Sequence, residues 1–152
     1  MTAQSLRFDD RLFALCGLSW VAGLIHVAAA VAHLDEYALY SVFFELLALA
    51  QFGWGIALYR APSIALVRAG AVMSALVVVL WIVSRTVGLP IGPEPWHPEA
   101  VGPIDALASA DEALIALVVA VRSRGLGQSL ANGVAMCLIL VSSLALTSAH
   151  LH

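Results

Sequence analysis

The chain has 152 residues, 62% of them hydrophobic and only 11% charged, with a mean hydropathy of +0.96 and a formal net charge of -3. That much apolar surface exceeds what a soluble core of this size can hide, so composition excludes a soluble globular domain and implies an integral membrane protein with the lipid bilayer as its first partner. The 7 basic residues are all arginine and form no run, which excludes a nucleic-acid-binding surface.

Residues 1–11 form a polar head, in which Asp9 and Asp10 are placed to cap a first helix by accepting its free N–H groups. An apolar stretch at about 12–34 follows, longer than the ~7–15 residues of a signal-peptide core, and it is read as a retained membrane span. Further spans are predicted at about 41–59, 64–88, 105–122 and 129–150, each near the roughly 20 residues that cross ~30 Å of hydrocarbon. The runs are continuous and rich in Ala and Leu rather than alternating, which argues against strands. The predicted fold is therefore all-α, a single domain forming a bundle of five transmembrane helices.

The short Ala-Pro-Ser turn at 61–63 makes helices 2 and 3 an antiparallel hairpin, with Pro62 and Ser63 opening helix 3. The longest connection, 88–103, contains five prolines and excludes a regular helix, so it is expected to fold as a stiff cover with Trp96 and His97 at its centre. Asp105, just after Pro103, is read as the N-cap of helix 4. Gln51, deep in helix 2, is read as a packing amide, and Cys16 and Cys137 as small packing residues without a disulfide.

Arg7 and Arg11 precede helix 1, Arg60 and Arg68 flank the second loop, and Arg122 and Arg124 lie between helices 4 and 5. The positive-inside rule then places the N-terminus in the cytoplasm and the C-terminus outside a cell membrane. All five histidines and eight of the ten carboxylates fall on the outer side, where Arg85 is the single basic residue. Ionisable groups inside a bilayer are costly and mark functional sites, so this asymmetry locates the candidate site.

His26 and His33 are seven apart, differing by about 20° around helix 1 and by ~10.5 Å in height. Glu45, Asp111, Glu112 and Arg85 fall at similar depths on helices 2, 4 and 3, and the terminal His150 and His152 add two imidazoles. Arg85 pairs with one carboxylate, which leaves two acids of Glu45, Asp111 and Glu112 without a cation. A transition metal held by His26, His33, Glu45, Asp111, Glu112 and His150 balances that charge, and imidazole with carboxylate suits Zn, Fe, Cu or Mn. Trp96 and His97 are expected to lid the site. Bis-histidine haem fits less well beside these acids, and no Ser or Cys is placed as a nucleophile.

H-x6-H-L-x-E from His26 to Glu36, Y-S-V-F-F-E-L-L-A-L-A-Q from Tyr40 to Gln51, and R-T-V-G-L-P-I-G-P-E-P-W-H-P-E-A-V-G from Arg85 to Gly102 cover about half the chain. In these motifs the chain resembles a family of small multi-pass membrane proteins of actinobacterial type. The resemblance implies that His26, His33, Arg85 and the proline loop act as one unit, and it carries no activity across.

The expected function is an outward-facing metal site serving redox chemistry, metal delivery or export. Two rivals stand beside it. One is an accessory subunit of a larger membrane complex or homo-oligomer, and the other is a proton-relay or quinone-linked protein using Glu45 or Glu112.

Overall fold

The computed structural model of the chain describes residues 9–123, which form four helices and, among the described residues, no strand. Helix α1 spans Asp10–Ala32, α2 Ala38–Arg60, α3 Ile64–Thr86 and α4 Pro103–Ser123. The fifth predicted helix, with Cys137, His150 and His152, lies outside the described residues, as does Arg7. The first three helices have 23 residues each and are long and apolar enough to cross a membrane. Helix α4 carries Asp105, Asp111 and Glu112 in its first half and is not among those three.

Helix starts follow local chemistry. Asp9 caps α1, its carboxylate accepting from the Leu12 amide at 2.9 Å, and Ser63 caps α3 by accepting from the Leu66 amide at 3.2 Å. Pro62 stays outside α3, one residue before the cap, instead of opening the helix. At the start of α4, Pro103 takes the first helical position, and the Ala106 amide bonds the Gly102 carbonyl at 3.0 Å. Asp105 is thus inside the first turn and is not the N-cap, which corrects the expectation from sequence. Its carboxylate is left free for partners on other helices.

In the packing, α1 lies against α2 along most of its length and also touches α4, α4 pairs with α3, and α2 barely meets α3. Small residues allow the close approaches. Trp20 lies against Gly55 and Phe52 against Gly23, so α1 and α2 interlock, and the Trp54 ring crosses Gly70 while its indole N–H donates to the Leu66 carbonyl at 2.8 Å. These contacts gather at the arginine-rich end of the bundle, around a core of Leu12, Leu15, Trp54, Leu58, Val67, Leu114, Ile115 and Val118. Toward the other end, which carries the proline loop, α2 and α3 separate and the interior turns polar.

That loop is tied down by backbone geometry. Helix α3 ends at Thr86, and Gly88 follows with φ +82, its amide reaching the Val83 carbonyl at 3.0 Å in a left-handed cap. A Cβ on Gly88 would lie 2.6 Å from the His97 backbone, so no larger residue fits. The Trp96 amide bonds Leu89 at 2.7 Å and the Glu99 amide bonds the Ser84 carbonyl at 3.0 Å, returning the chain to the end of α3.

Candidate functional site

The polar interior has two storeys. The lower one forms where α1, α2 and α4 meet. His26 Nε2 lies 2.9 Å from Glu112 Oε1, and both side chains are fully buried. Gln51 Nε2 donates to the same carboxyl oxygen at 2.6 Å, and the Ser19 hydroxyl donates to the Gln51 backbone carbonyl and lies 3.2 Å from Gln51 Oε1. One carboxyl oxygen therefore takes two hydrogen bonds, whereas Glu112 Oε2 and His26 Nδ1 have no partner among the described residues. Unmet hydrogen-bonding capacity at this depth is expensive. Asp111, the next residue along, is also buried with Oδ2 unpartnered.

The upper storey is an ionic cluster under the proline loop. Asp105 bridges two bases: Oδ1 is 3.3 Å from His33 Nε2, and Oδ2 accepts from Arg85 Nη2 at 2.7 Å. Arg85 Nη1 also pairs with Glu99 from the loop and donates to Ser84 Oγ at 3.2 Å. Tyr40 donates to Glu99 at 2.7 Å and sits 3.1 Å from the Ile91 carbonyl, a reach that Gly92 permits because any Cβ there would collide with the phenol oxygen. His33 Nδ1 is 2.6 Å from Glu36 Oε2 at the exposed edge. Arg85 accordingly pairs with Glu99 and Asp105, not with Glu45, Asp111 or Glu112 as the sequence suggested.

Phe44 separates the storeys. Its ring stacks on His33 with centroids 5.2 Å apart and 13° between planes, and on His26 at 6.0 Å and 23°. Seven residues of α1 put the His33 backbone about 10.5 Å above that of His26 along the helix axis, and the two stackings set Phe44 between the rings.

Between the parted ends of α2 and α3 lies a cavity of about 540 Å³. Its apolar wall comes from Val42, Phe43, Leu46, Val77 and Leu80, while His26, His33, Tyr40, Arg85, Glu99 and Asp105 edge its polar end. Leu89, Pro90 and Ile91 contribute from the loop. Trp96 and His97, expected as the lid, are exposed and outside the cavity lining, so loop residues on either side of them take that position.

Of the six expected metal ligands, the fold brings His26 and Glu112 together and sets His33 on the far side of Phe44. Glu45 is exposed on another face of α2, and His150 lies outside the described residues. Among the described residues no three His, Cys, Asp or Glu side chains converge on a point that could hold a metal ion. Sequence reasoning gave Tyr40 and Phe44 no place in the site, reached Glu99 only as part of the proline loop, read Asp105 as a cap and took Gln51 for packing. The signal for Gln51 was its depth, since an amide at mid-membrane needs a polar partner.

Compared with family models, with curated proteins and with solved structures, the chain gives no match.

Proposed function

We propose that this chain is a multi-pass membrane protein whose proline-loop half, facing outward, is a proton-exchange site rather than a path across the membrane. The observation that carries this reading is the His26–Glu112 contact of 2.9 Å between two fully buried groups, each keeping a further polar atom without a partner. A proton shared between Nε2 and Oε1 has two resting places, giving a neutral pair or an ion pair, and Gln51 stabilises the carboxylate form by donating to the same oxygen. In the ionic cluster, His33, Asp105 and Glu99 are the protonatable groups nearer the surface, and Arg85 is the fixed cation that holds the two acids. Phe44 blocks direct transfer between the imidazoles, so exchange runs through the cavity that both line.

Below the pair, the core of Leu12, Leu15, Leu58, Leu114 and Ile115 holds no carboxylate or imidazole among the described residues, only the thiol of Cys16, which supports a dead-ended site. The test is pH-difference infrared spectroscopy of the full chain in lipid. A carboxyl C=O band that titrates together with an imidazole signal, both lost in Glu112→Gln, is expected. A wild-type spectrum with no titrating carboxyl assigned to Glu112 overturns the reading.

One observation favours a second reading, that of a subunit in a larger assembly. Glu45 is exposed on α2 beside Leu49, which is 67% exposed, and outside the cavity wall that Val42 and Leu46 form. An acid on a face otherwise suited to lipid calls for a covering helix.

A further inference from the structure

The cavity between α2 and α3 is apolar along its length and polar at one end, the layout of a site for an amphiphile that enters sideways from the bilayer. Two features of the polar end select among amphiphiles. The first is charge: Arg85, the cation there, is already engaged by Glu99 and Asp105, so a phosphate or carboxylate head would meet two acids with no free cation to answer it.

The second is a surplus of donors. Arg85 Nε and Trp81 Nε1 are buried N–H groups with no acceptor among the described residues, and both residues line the cavity. They stand one turn apart on α3, with the guanidinium 6.0 Å from the centre of the Trp81 ring. A buried N–H without an acceptor is costly, and an amine or ammonium head adds donors where acceptors are needed. The Trp81 ring offers a flat aromatic surface to a planar head, both faces of Phe44 being taken by the two histidines, while Val42, Leu46, Val77 and Leu80 suit an alkyl or isoprenoid tail.

The geometry points to a binding site for a neutral, planar, carbonyl-bearing amphiphile of the quinone class, its carbonyl oxygen accepting from Trp81 and Arg85 and its tail leaving between α2 and α3. This rests on the reading of the proline-loop half as a proton-exchange site, for which such a ligand is a suitable partner, and it concerns binding alone.

The test is saturable binding of radiolabelled decylubiquinone to the full chain in phosphatidylcholine nanodiscs, with uptake by empty discs subtracted. Trp81→Phe keeps an aromatic ring, though a smaller one, and removes the N–H, and a lost hydrogen bond of this kind weakens binding by about tenfold. Leu80→Trp fills the apolar wall from a partly lipid-exposed position, so it occludes the cavity without disturbing the core, and binding is lost. Oleate and dodecyltrimethylammonium are expected to compete at least tenfold more weakly than unlabelled decylubiquinone.

Non-saturable uptake, or affinity unchanged in both variants, overturns the proposal. Equal or better competition by oleate reassigns the cavity to anionic lipid, and by dodecyltrimethylammonium to cations, and either result overturns it as well. Trp81 and Leu80 take no part in the His26–Glu112 pair, so these binding results and the infrared titration of Glu112 fail independently.

Discussion

His26 and Glu112 meet across the α1–α4 interface at 2.9 Å, 86 residues apart in sequence and fully shielded from solvent. The contact joins the two helices just above the apolar core.

Removing one member leaves the other buried without its partner. Glu112→Ala is expected to destabilise the chain by roughly 3–5 kcal/mol, and His26→Ala by a similar amount. The double variant His26→Leu/Glu112→Leu, which removes both polar groups and keeps volume but leaves the Gln51 amide without its acceptor, is expected to lose about 1–3 kcal/mol, well short of the sum of the singles. Thermal unfolding in detergent gives the comparison. A double variant as unstable as the sum of the singles would mean that the two residues do not act as a pair.

The fold was more legible in the sequence than the site was. Three spans, the tight turn at 61–63 and the Asp9 cap follow from hydropathy and capping chemistry, which are local and survive into the structure. Depth was legible too, since helical rise alone puts His26 level with Glu112. Rotation about each helix axis was not. Glu45 and Gln51 both lie on α2 and differ in sequence by six residues, yet one is exposed and the other fully buried. Nor did spacing indicate that an aromatic ring from α2 would enter between two histidines of α1, because that depends on the α1–α2 register set by Trp20 on Gly55 and Phe52 on Gly23. Asp105 was misplaced because Pro103 begins the helix one residue after Gly102, so that the acid falls in the first turn.

The separation of the imidazoles by Phe44 bears on metal binding. Elemental analysis of the purified chain, after growth with copper, iron, zinc and manganese, is expected to give no stoichiometric metal that is lost in His26→Ala/His33→Ala. Stoichiometric metal that disappears in the double variant would show that the donors meet in a way the Phe44 sandwich does not allow.

Gly92 carries φ +118 and lies where a Cβ would strike the Tyr40 hydroxyl. Gly92→Ala is therefore strained in its backbone and displaces the phenol from Glu99 and from the Ile91 carbonyl. A loss of about 1–3 kcal/mol is expected, together with faster proteolysis within 88–102. Tyr40→Phe removes the same hydrogen bonds without the backbone strain and is expected to show the milder phenotype. Equal loss in both variants would place the whole effect in the phenol.

Arg85 is the point on which the loop and α4 both depend, through Glu99 and Asp105. Arg85→Lys keeps the charge, but a single ammonium has no fork of N–H groups to engage two carboxylates and Ser84 together, so the substitution is not conservative here. It is expected to release one of the two acids, lower the unfolding temperature and speed cleavage in 88–102. Arg85→Gln takes away the cation that Glu99 and Asp105 share, leaving Asp105 only its contact with His33, and is expected to be worse than Arg85→Lys. Restoring balance with Glu99→Gln in the Arg85→Gln background should recover part of that loss, since one of the two acids that lost the cation is gone. No recovery in that combination would show that Arg85 acts through its contact with Trp81 and the cavity wall, and not through the carboxylates it joins.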